Sequence, residues 1–309
     1  MLTPIPYAEK FKFKEKFIER YSKLTNFEEF KRYSTSYLRR CIRVNTLKTT
    51  VKEVKSRLKD KWKLDQIPWC REGFYISGER TDIGNTIEHM LGYIYVQEAA
   101  SMLPPMVLMP NKHEIVLDEA AAPGSKTTQL ASMMENTGII VANDVSYERI
   151  MPLTINLQRC GVSNAVVTLM HGKGIRHKFD KILLDAPCSG TGAIRKSLKT
   201  IEMWNPNAIS RLASYQKGLL INAFDNLNED GTLVYSTCSV EPEENEGVID
   251  FLLKKRDCKL EEIKLDIKRS PVILEFEDEK YNEEIKKCLR IWPQDNDTEG
   301  FFVAKIRKN

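Results

Sequence analysis

The sequence predicts an α/β protein, a Rossmann-like fold with a doubly wound, mainly parallel sheet, preceded by a small N-terminal α/β module. Three observations carry that prediction. From Glu114 onward short apolar runs alternate with amphipathic stretches, which is the βα alternation of a parallel sheet. The first of those runs opens into a loop of small residues leading a helix, Asp118-Glu119-Ala120-Ala121-Ala122-Pro123-Gly124-Ser125-Lys126-Thr127, where a ligand can approach the backbone and the unpaired N–H groups of the helix start. The third is a shift in charge: residues 1–60 hold 16 Lys or Arg against 7 Asp or Glu, although the whole chain carries only +4.

At 309 residues the chain has room for one domain of about 200 residues and a smaller partner. Between residues 7 and 40 apolar positions recur at spacings of three and four, which predicts two amphipathic helices. A strand at 41–47, a helix at 51–58 and an extended run at 73–76 complete a basic N-terminal module. A junction at 86–110, marked by Gly92, Pro104, Pro105 and Pro110, separates it from the remainder of the chain, and the division is drawn as 1–88 and 89–309. In the second part strands are expected at 115–118, 139–143, 165–169, 181–185 and 232–236, with helices at 126–134, 147–158, 209–227 and 243–255. The final run, 300–306, is expected to be an antiparallel strand at or near the sheet edge.

Composition narrows the class. With 42% hydrophobic and 29% charged residues the chain is an ordinary globular protein rather than a disordered one. Its longest apolar runs, 93–96 and 102–108, stop far short of the ~20 residues a membrane helix needs. The N-terminus lacks the apolar core and cleavage site of a secretion signal, so a cytoplasmic location is expected. Seven cysteines, an odd number with no CxxC pair and no clustered histidines, predict free thiols in a reducing compartment and no metal site. Cys160, Cys258 and Cys288 read as inert thiols, the last two in helical context. The basic N-terminal segment is interleaved with Phe11, Phe13, Phe17, Tyr21, Phe27, Phe30, Tyr33 and Tyr37. Its residues fit either a nucleic-acid surface or a solvated helix face with its aromatics in the core.

The small-residue loop is not a phosphate loop, because Ser125 stands where GxxxxGK[ST] needs glycine, and it lacks the GxGxxG glycines of a dinucleotide loop. The second strand ends at Asp144, 20 residues past Gly124, where an acid can accept hydrogen bonds from a ribose or cap the next helix. S-adenosylmethionine and NAD both fit such an acid; the loop sequence favours S-adenosylmethionine.

Two cysteine motifs, Asp185-Ala186-Pro187-Cys188-Ser189-Gly190 and Ser236-Thr237-Cys238-Ser239, each follow an apolar strand. Open α/β sheets place sites beyond their strand carboxyl ends, so two thiols 50 residues apart can face one pocket. One chemistry that needs this is methyl transfer to carbon 5 of a pyrimidine. That carbon is a poor nucleophile until a thiolate adds to carbon 6.

These motifs resemble those of the RNA 5-methylcytosine methyltransferases of the Nop2/Sun group, and among them the shorter archaeal tRNA enzymes. The resemblance also covers residues 41–47, Gly92-Tyr93-Ile94-Tyr95-Val96-Gln97-Glu98-Ala99-Ala100-Ser101, Glu241-Pro242-Glu243-Glu244-Asn245-Glu246 and Thr298-Glu299-Gly300-Phe301-Phe302. It implies that Cys238 is the nucleophile and that Cys188 assists release of the methylated RNA. It implies further that Asp185 and Lys126 contact the target base and handle protons. Ala120, Ala121, Ala122, Pro123, Gly124, Ser125, Lys126, Asp144, Arg149 and Asp185 match cofactor positions, with S-adenosylmethionine as the methyl donor. Asn45 and the first 88 residues match the family's RNA-recognition-like module, and the expected partner is an RNA, tRNA first, bound by a monomer. The chain departs from the family's pattern at Ser125, Glu119, His171 and Gln294, and His171 is not expected to bind the cofactor. Lys126 or Arg195 is expected to supply the positive field a thiolate needs. The alternatives are an rRNA enzyme with the same chemistry, the reversed cysteine roles, a non-catalytic RNA-binding factor with the same fold, and a nucleotide hydrolase.

Overall fold

The computed structural model describes residues 2–78 and 82–309. Helix α1 (Glu15–Leu24) places Phe17 and Tyr21 on one face, and α2 (Phe27–Ser34), capped by the Asn26 side chain on Glu29 N–H, adds Phe27 and Phe30. These rings pack with Ile201, Trp204, Ile209, Val240 and Trp292 of the large domain, while Lys16, Lys23, Lys31 and Arg32 face solvent. The second reading of the basic segment is the one seen: Phe17, Tyr21, Phe27 and Phe30 lie in the core and these cations outside.

Strand β1 (Arg40–Val44) follows, then α3 (Val51–Leu58) behind a Thr50/Glu53 capping box, β2 (Lys63–Gln66), β3 (Gly73–Ser77), α4 (Ile87–Met90) and β4 (Ile94–Val96). The four strands form an antiparallel sheet in the order β2-β3-β1-β4 over a core that includes Ile42, Val54, Leu58, Trp62 and Phe74. Its fourth strand comes from residues 94–96, so the small sheet continues past residue 88. Strand β1 ends three residues earlier than its β-branched pattern suggests, because Asn45 turns away to bond other elements. Its side-chain amide donates to Gly92 O and Cys160 O, both at 2.8 Å, and its carbonyl accepts from the Ser132 hydroxyl at 3.1 Å. Gly92 can be only glycine here: its φ is +72°, and a Cβ would lie 2.0 Å from Arg159 O, inside contact distance.

The large domain begins with α5 (Leu103–Leu108), β5 (Ile115–Asp118), α6 (Ser125–Met133), β6 (Ile139–Asp144), α7 (Tyr147–Cys160), β7 (Ala165–Leu169) and β8 (Phe179–Asp185). It continues through α8 (Lys199–Met203), α9 (Pro206–Asp225), β9 (Leu227–Thr237), α10 (Glu246–Lys255) and β10 (Cys258–Glu261). A hairpin of β11 (Glu275–Phe276) and β12 (Glu279–Lys280), then β13 (Leu289–Ile291), α11 (Pro293–Asn296) and β14 (Phe301–Lys308), complete it. The main sheet runs β10-β14-β9-β8-β5-β6-β7, with β13 also paired to β14. The five strands from β9 to β7 are parallel, and β14 is antiparallel to β9. Because β10 and β13 cover its other side, β14 lies one strand in from the edge.

The pleat sorts the core. Leu117, Ile182, Leu184 and Tyr235 pack under α9 and α10, whereas Val116, Leu183 and Val234 pack under α5 and α6; successive residues of a strand face opposite ways. Strand β5 lies between β6 and β8, so the chain reverses its direction of travel across the sheet there, and a crevice opens beyond the carboxyl ends of β5, β8 and β9. Cys258, read as helical from its lysine-rich surroundings, instead begins β10, and Cys288 is buried after a short 3-10 turn. Lys254 and Lys255 end α10, whereas Lys259 lies in β10, whose partner β14 is distant in sequence. Among the described residues no helix is long and apolar enough to cross a membrane.

Candidate active site

Strands β8 and β9 pair in parallel with Asp185 opposite Ser236. That register carries the two following loops to the same place, and the Sγ atoms of Cys188 and Cys238 lie 3.3 Å apart, both as free thiols. Glu244 braces the pair. It accepts hydrogen bonds from Ser189 N–H (2.9 Å), from the Ser189 and Ser239 hydroxyls and from Gln216 Nε2 (2.9 Å). One carboxylate thus ties the residue after each cysteine. Asn245 adds a second tie, donating to Ser239 O at 2.9 Å and accepting from the Thr237 hydroxyl at 2.6 Å. Burial pushes the Glu244 carboxyl up, and the hydrogen bonds from Ser189 and Ser239 oppose it. The Cys188 thiol is held well above its ordinary value, first by its hydrogen bond with Cys238 and then by burial.

Two cavities meet at this point. One, of about 230 Å³, is lined by Glu119, Asn143, Asp144, Arg149, Met170, Tyr215 and Cys188, among others. The second, of about 350 Å³, is lined by Tyr95, Gln97, Glu98, Lys126, Lys196, Glu299 and Phe301, among others. Ala120, Ala122, Asp185 and Cys238 line both. A group held in the first cavity and a planar group held in the second would touch across these four residues.

The expected site residues divide between the cavities. Asp144 accepts from Ala122 N–H at 3.3 Å and from Ser146 N–H at 3.2 Å, so it braces the loop and the turn before α7 and still faces the first cavity. Arg149 props the loop, donating to Ala122 O at 2.7 Å, with Asp144 at 3.5 Å. Ala121, Pro123, Ser125 and Lys126 line only the second cavity, and Gly124 lines neither; its φ of +102° is what turns the loop into α6. Lys126 pairs with Asp185 at 2.6 Å and donates to the Ser101 hydroxyl at 3.0 Å. Asp185 also accepts from the Ser236 hydroxyl at 2.7 Å. Burial works against the Lys126 charge, but the Asp185 carboxylate outweighs it and raises the ammonium above its ordinary value.

Arg195 does not supply the field at the thiols. It is buried, with Nε on Ser36 O (3.0 Å), Nη1 on Thr298 O (3.2 Å) and an ion pair to Asp297 at 2.8 Å, and so locks the N-terminal segment to the large domain. The next residue, Lys196, stands in the second cavity instead, paired with Glu299. His171 is exposed, accepts from Lys173 N–H at 3.3 Å and meets the Tyr215 hydroxyl at 3.3 Å; Tyr215, not His171, lines the first cavity. Gln294 bonds the Thr25 hydroxyl at 2.8 Å, away from the site. Glu98, Lys196, Tyr215 and Glu244 went unread in the sequence. Glu98 and Glu244 lie inside the family's motifs, and an acid in a run of small or apolar residues was the signal.

The first cavity asks for a ligand rich in hydrogen-bonding groups. At the end of β5, Asp118 Oδ1 and both Glu119 oxygens are buried without a hydrogen-bond partner. A ligand carrying an ammonium, a sulfonium, ribose hydroxyls and an amino-purine fits that lining.

Residues 105–307 match the family model described as 16S rRNA methyltransferase RsmB/F, and residues 13–99 match the N-terminal domain of 16S rRNA methyltransferase RsmF. Over 307 residues the chain is 50% identical to the tRNA (cytosine(49)-C(5))-methyltransferase of Pyrococcus abyssi, a match covering 98% of this chain and 99% of that protein. It is 45% identical over 282 residues to the ribosomal RNA small subunit methyltransferase F of Psychromonas ingrahamii, covering 88% of this chain but only 57% of that protein. A crystal structure of a methyltransferase homologue from Pyrococcus horikoshii has a TM-score of 0.88 at 38% identity, covering 99% of this chain and 100% of that one.

Proposed function

Because the chain belongs to the RsmB/F family of S-adenosylmethionine-dependent RNA cytosine-C5 methyltransferases, we propose that it methylates a cytosine of tRNA, with Cys238 adding to carbon 6 and Cys188 serving release. The observation that carries the assignment of roles is the position of the two sulfurs. Cys238 lines both cavities, whereas Cys188, 3.3 Å away, lines only the first.

Asp144, at the end of β6, would hold the ribose hydroxyls of the cofactor, and the small side chains of Ala120 and Ala122 would let it lie against the loop. When bound, S-adenosylmethionine supplies a methyl group on a sulfonium. In the second cavity Cys238 adds to carbon 6 of the base, and the fixed Lys126–Asp185 pair orients the ring. The C5 proton goes to a carboxylate of this cavity. As the bond from Cys238 to carbon 6 breaks, the departing thiolate receives the hydrogen bond of the Cys188 thiol. The base must leave its stack, at a cost of a few kcal/mol, offset by phosphate contacts from the exposed lysines of the N-terminal 60 residues.

The 50% identity to a tRNA enzyme, over 98% of this chain and 99% of that protein, supports tRNA as the substrate. The protein acts as a cytoplasmic monomer in this reading. With RNA and cofactor present, Cys188→Ala accumulates a covalent protein–RNA adduct on denaturing gels and Cys238→Ala forms none; the opposite pattern reverses the roles. Bisulfite sequencing of tRNA and rRNA from cells with and without the gene identifies the substrate, and a lost signal in rRNA alone overturns tRNA.

A further inference from the structure

We propose that Arg43, on β1 of the small sheet, is a positioning residue for methyl transfer: it acts through Lys126, holding that side chain against Asp185 in the second cavity. The proposal rests on the reading of the Lys126–Asp185 pair as the group that orients the target base.

The contacts run from one domain to the other. Arg43 is only 2% exposed. Its Nε donates to Gln97 Oε1 at 2.8 Å, and its Nη2 donates to the Thr128 hydroxyl at 2.8 Å and to Ser125 O at 3.4 Å. Ser125 precedes Lys126, and the Thr128 hydroxyl donates to the same Ser125 carbonyl at 3.0 Å. The first turn of α6, which carries Lys126, is thus tied to β1. Gln97 forms the second branch. Its Nε2 donates to Ser101 O at 3.2 Å and to Gln129 Oε1 at 3.0 Å, and Gln129 Nε2 donates to Met102 O at 3.1 Å. The Ser101 hydroxyl accepts from Lys126 Nζ at 3.0 Å, beside Asp185 at 2.6 Å. One guanidinium therefore fixes Lys126 at both ends, its backbone through Ser125 and Thr128 and its ammonium through Gln97 and Ser101.

The charge explains why an arginine stands here rather than an apolar spacer. The other buried arginines, Arg195 and Arg290, each face a carboxylate, Asp297 at 2.8 Å and Glu246 at 2.6 Å. Arg43 pairs with no carboxylate among the described residues; its partners are an amide, a hydroxyl and a carbonyl. An unpaired guanidinium is costly to bury, and a methionine would fill the space without that cost. A methionine lacks the planar fork that reaches acceptors on two elements at once. Gln97 and Ser125 line the second cavity, as does Tyr95, whose ring centre is 5.9 Å from the guanidinium, so the fork stands directly behind that wall.

The test compares wild type, Arg43→Met and Arg43→Lys for kcat and KM on tRNA from cells lacking the gene, and for cofactor Kd by calorimetry. A misplacement of about 1 Å costs about 100-fold, so Arg43→Met is expected to lower kcat about 100-fold while KM and cofactor Kd stay within about threefold of wild type. Arg43→Lys keeps the charge but reaches one branch rather than both, and its kcat is expected to fall about tenfold. Arg43→Met within about threefold of the wild-type kcat overturns the proposal, and so does a loss confined to KM, which would assign Arg43 to RNA binding alone. A fall in kcat matched by an equal loss of cofactor affinity also overturns it, since that marks a general loosening of the fold. If Arg43→Met does not fold, Arg43→Lys decides by the same criteria. Lys126→Met is run beside them, and a wild-type kcat there refutes the reading of the Lys126–Asp185 pair itself. If wild type does not methylate cytosine in RNA, the functional reading fails first.

Discussion

Glu119 makes a quantitative prediction about stability. It replaces the usual small or apolar residue of the cofactor loop, both of its oxygens are buried without a partner, and Gly172 covers it so closely that a Cβ there would lie 2.2 Å from Oε1. Burial alone pushes its carboxyl from 4.5 up to about 8. Folded, Glu119 keeps its proton to about pH 8; unfolded, it releases it near 4.5. The folded state binds more protons in that window, so its contribution is fully present below about 4.5 and is lost as pH rises through about 8. The gap, at about 1.4 kcal/mol per pH unit, amounts to about 5 kcal/mol by pH 8 and about 3 kcal/mol at pH 7. Glu119→Met removes this slope. Urea unfolding of both proteins from pH 5 to 8.5 should show the wild type losing about 1.4 kcal/mol per unit relative to the variant through the middle of the range. Comparing the two cancels the buried carboxyls Asp118 and Glu241, each pushed to about 7 mainly by burial. Parallel stability curves for the two proteins would refute the reasoning.

Glu244→Ala leaves Ser189 N–H and one Gln216 N–H without their acceptor, while the Ser189 and Ser239 hydroxyls, 3.1 Å apart, re-pair. Each unsatisfied donor costs about 1–3 kcal/mol, so a fall of about 2–6 kcal/mol in urea unfolding is expected, and the slackened cysteine loops should slow adduct formation by about 100-fold. Adduct kinetics within threefold of wild type would show that Glu244 does not position the thiols. Asp144→Ala removes a charged acceptor for the ribose; hydrogen bonds to charged groups are worth about 1.5–3 kcal/mol, so cofactor Kd by calorimetry should rise about 10- to 100-fold with little change in RNA affinity. An unchanged Kd would leave Asp144 with its hydrogen bonds to Ala122 and Ser146 alone.

Much of the molecule was legible in one dimension because the controlling interactions are local. The β-branched runs and small-residue loop placed β5, β6, β7 and β8 and the helices between them within a residue or two, and helix 51–58 was bounded by its own capping box. The short strands β2, β4, β10 and β13 were not legible: β4 and β10 exist through partners far along the chain, and β2 and β13, though their partners are near, are too short to show an apolar alternation. Cys258 read as helical for that reason, and Arg195 read as a field source because nothing in sequence announces that Ser36 O and Thr298 O will be its ligands.

By itself the sequence determined the α/β class, the charge of the N-terminal arm and the chemistry on offer: two thiols, a lysine, and acids beyond strand ends. Hydrophobic period and residue type suffice for those. Only the tertiary structure decided that β8 and β9 pair in the register that sets Cys188 and Cys238 3.3 Å apart, that Glu244 ties their loops and that Glu98 joins them from the small sheet's end of the chain. The physical reason is that a cavity takes its walls from whichever elements pack around it. Sheet order and register bring those walls together, and neither is written in any local stretch of the chain.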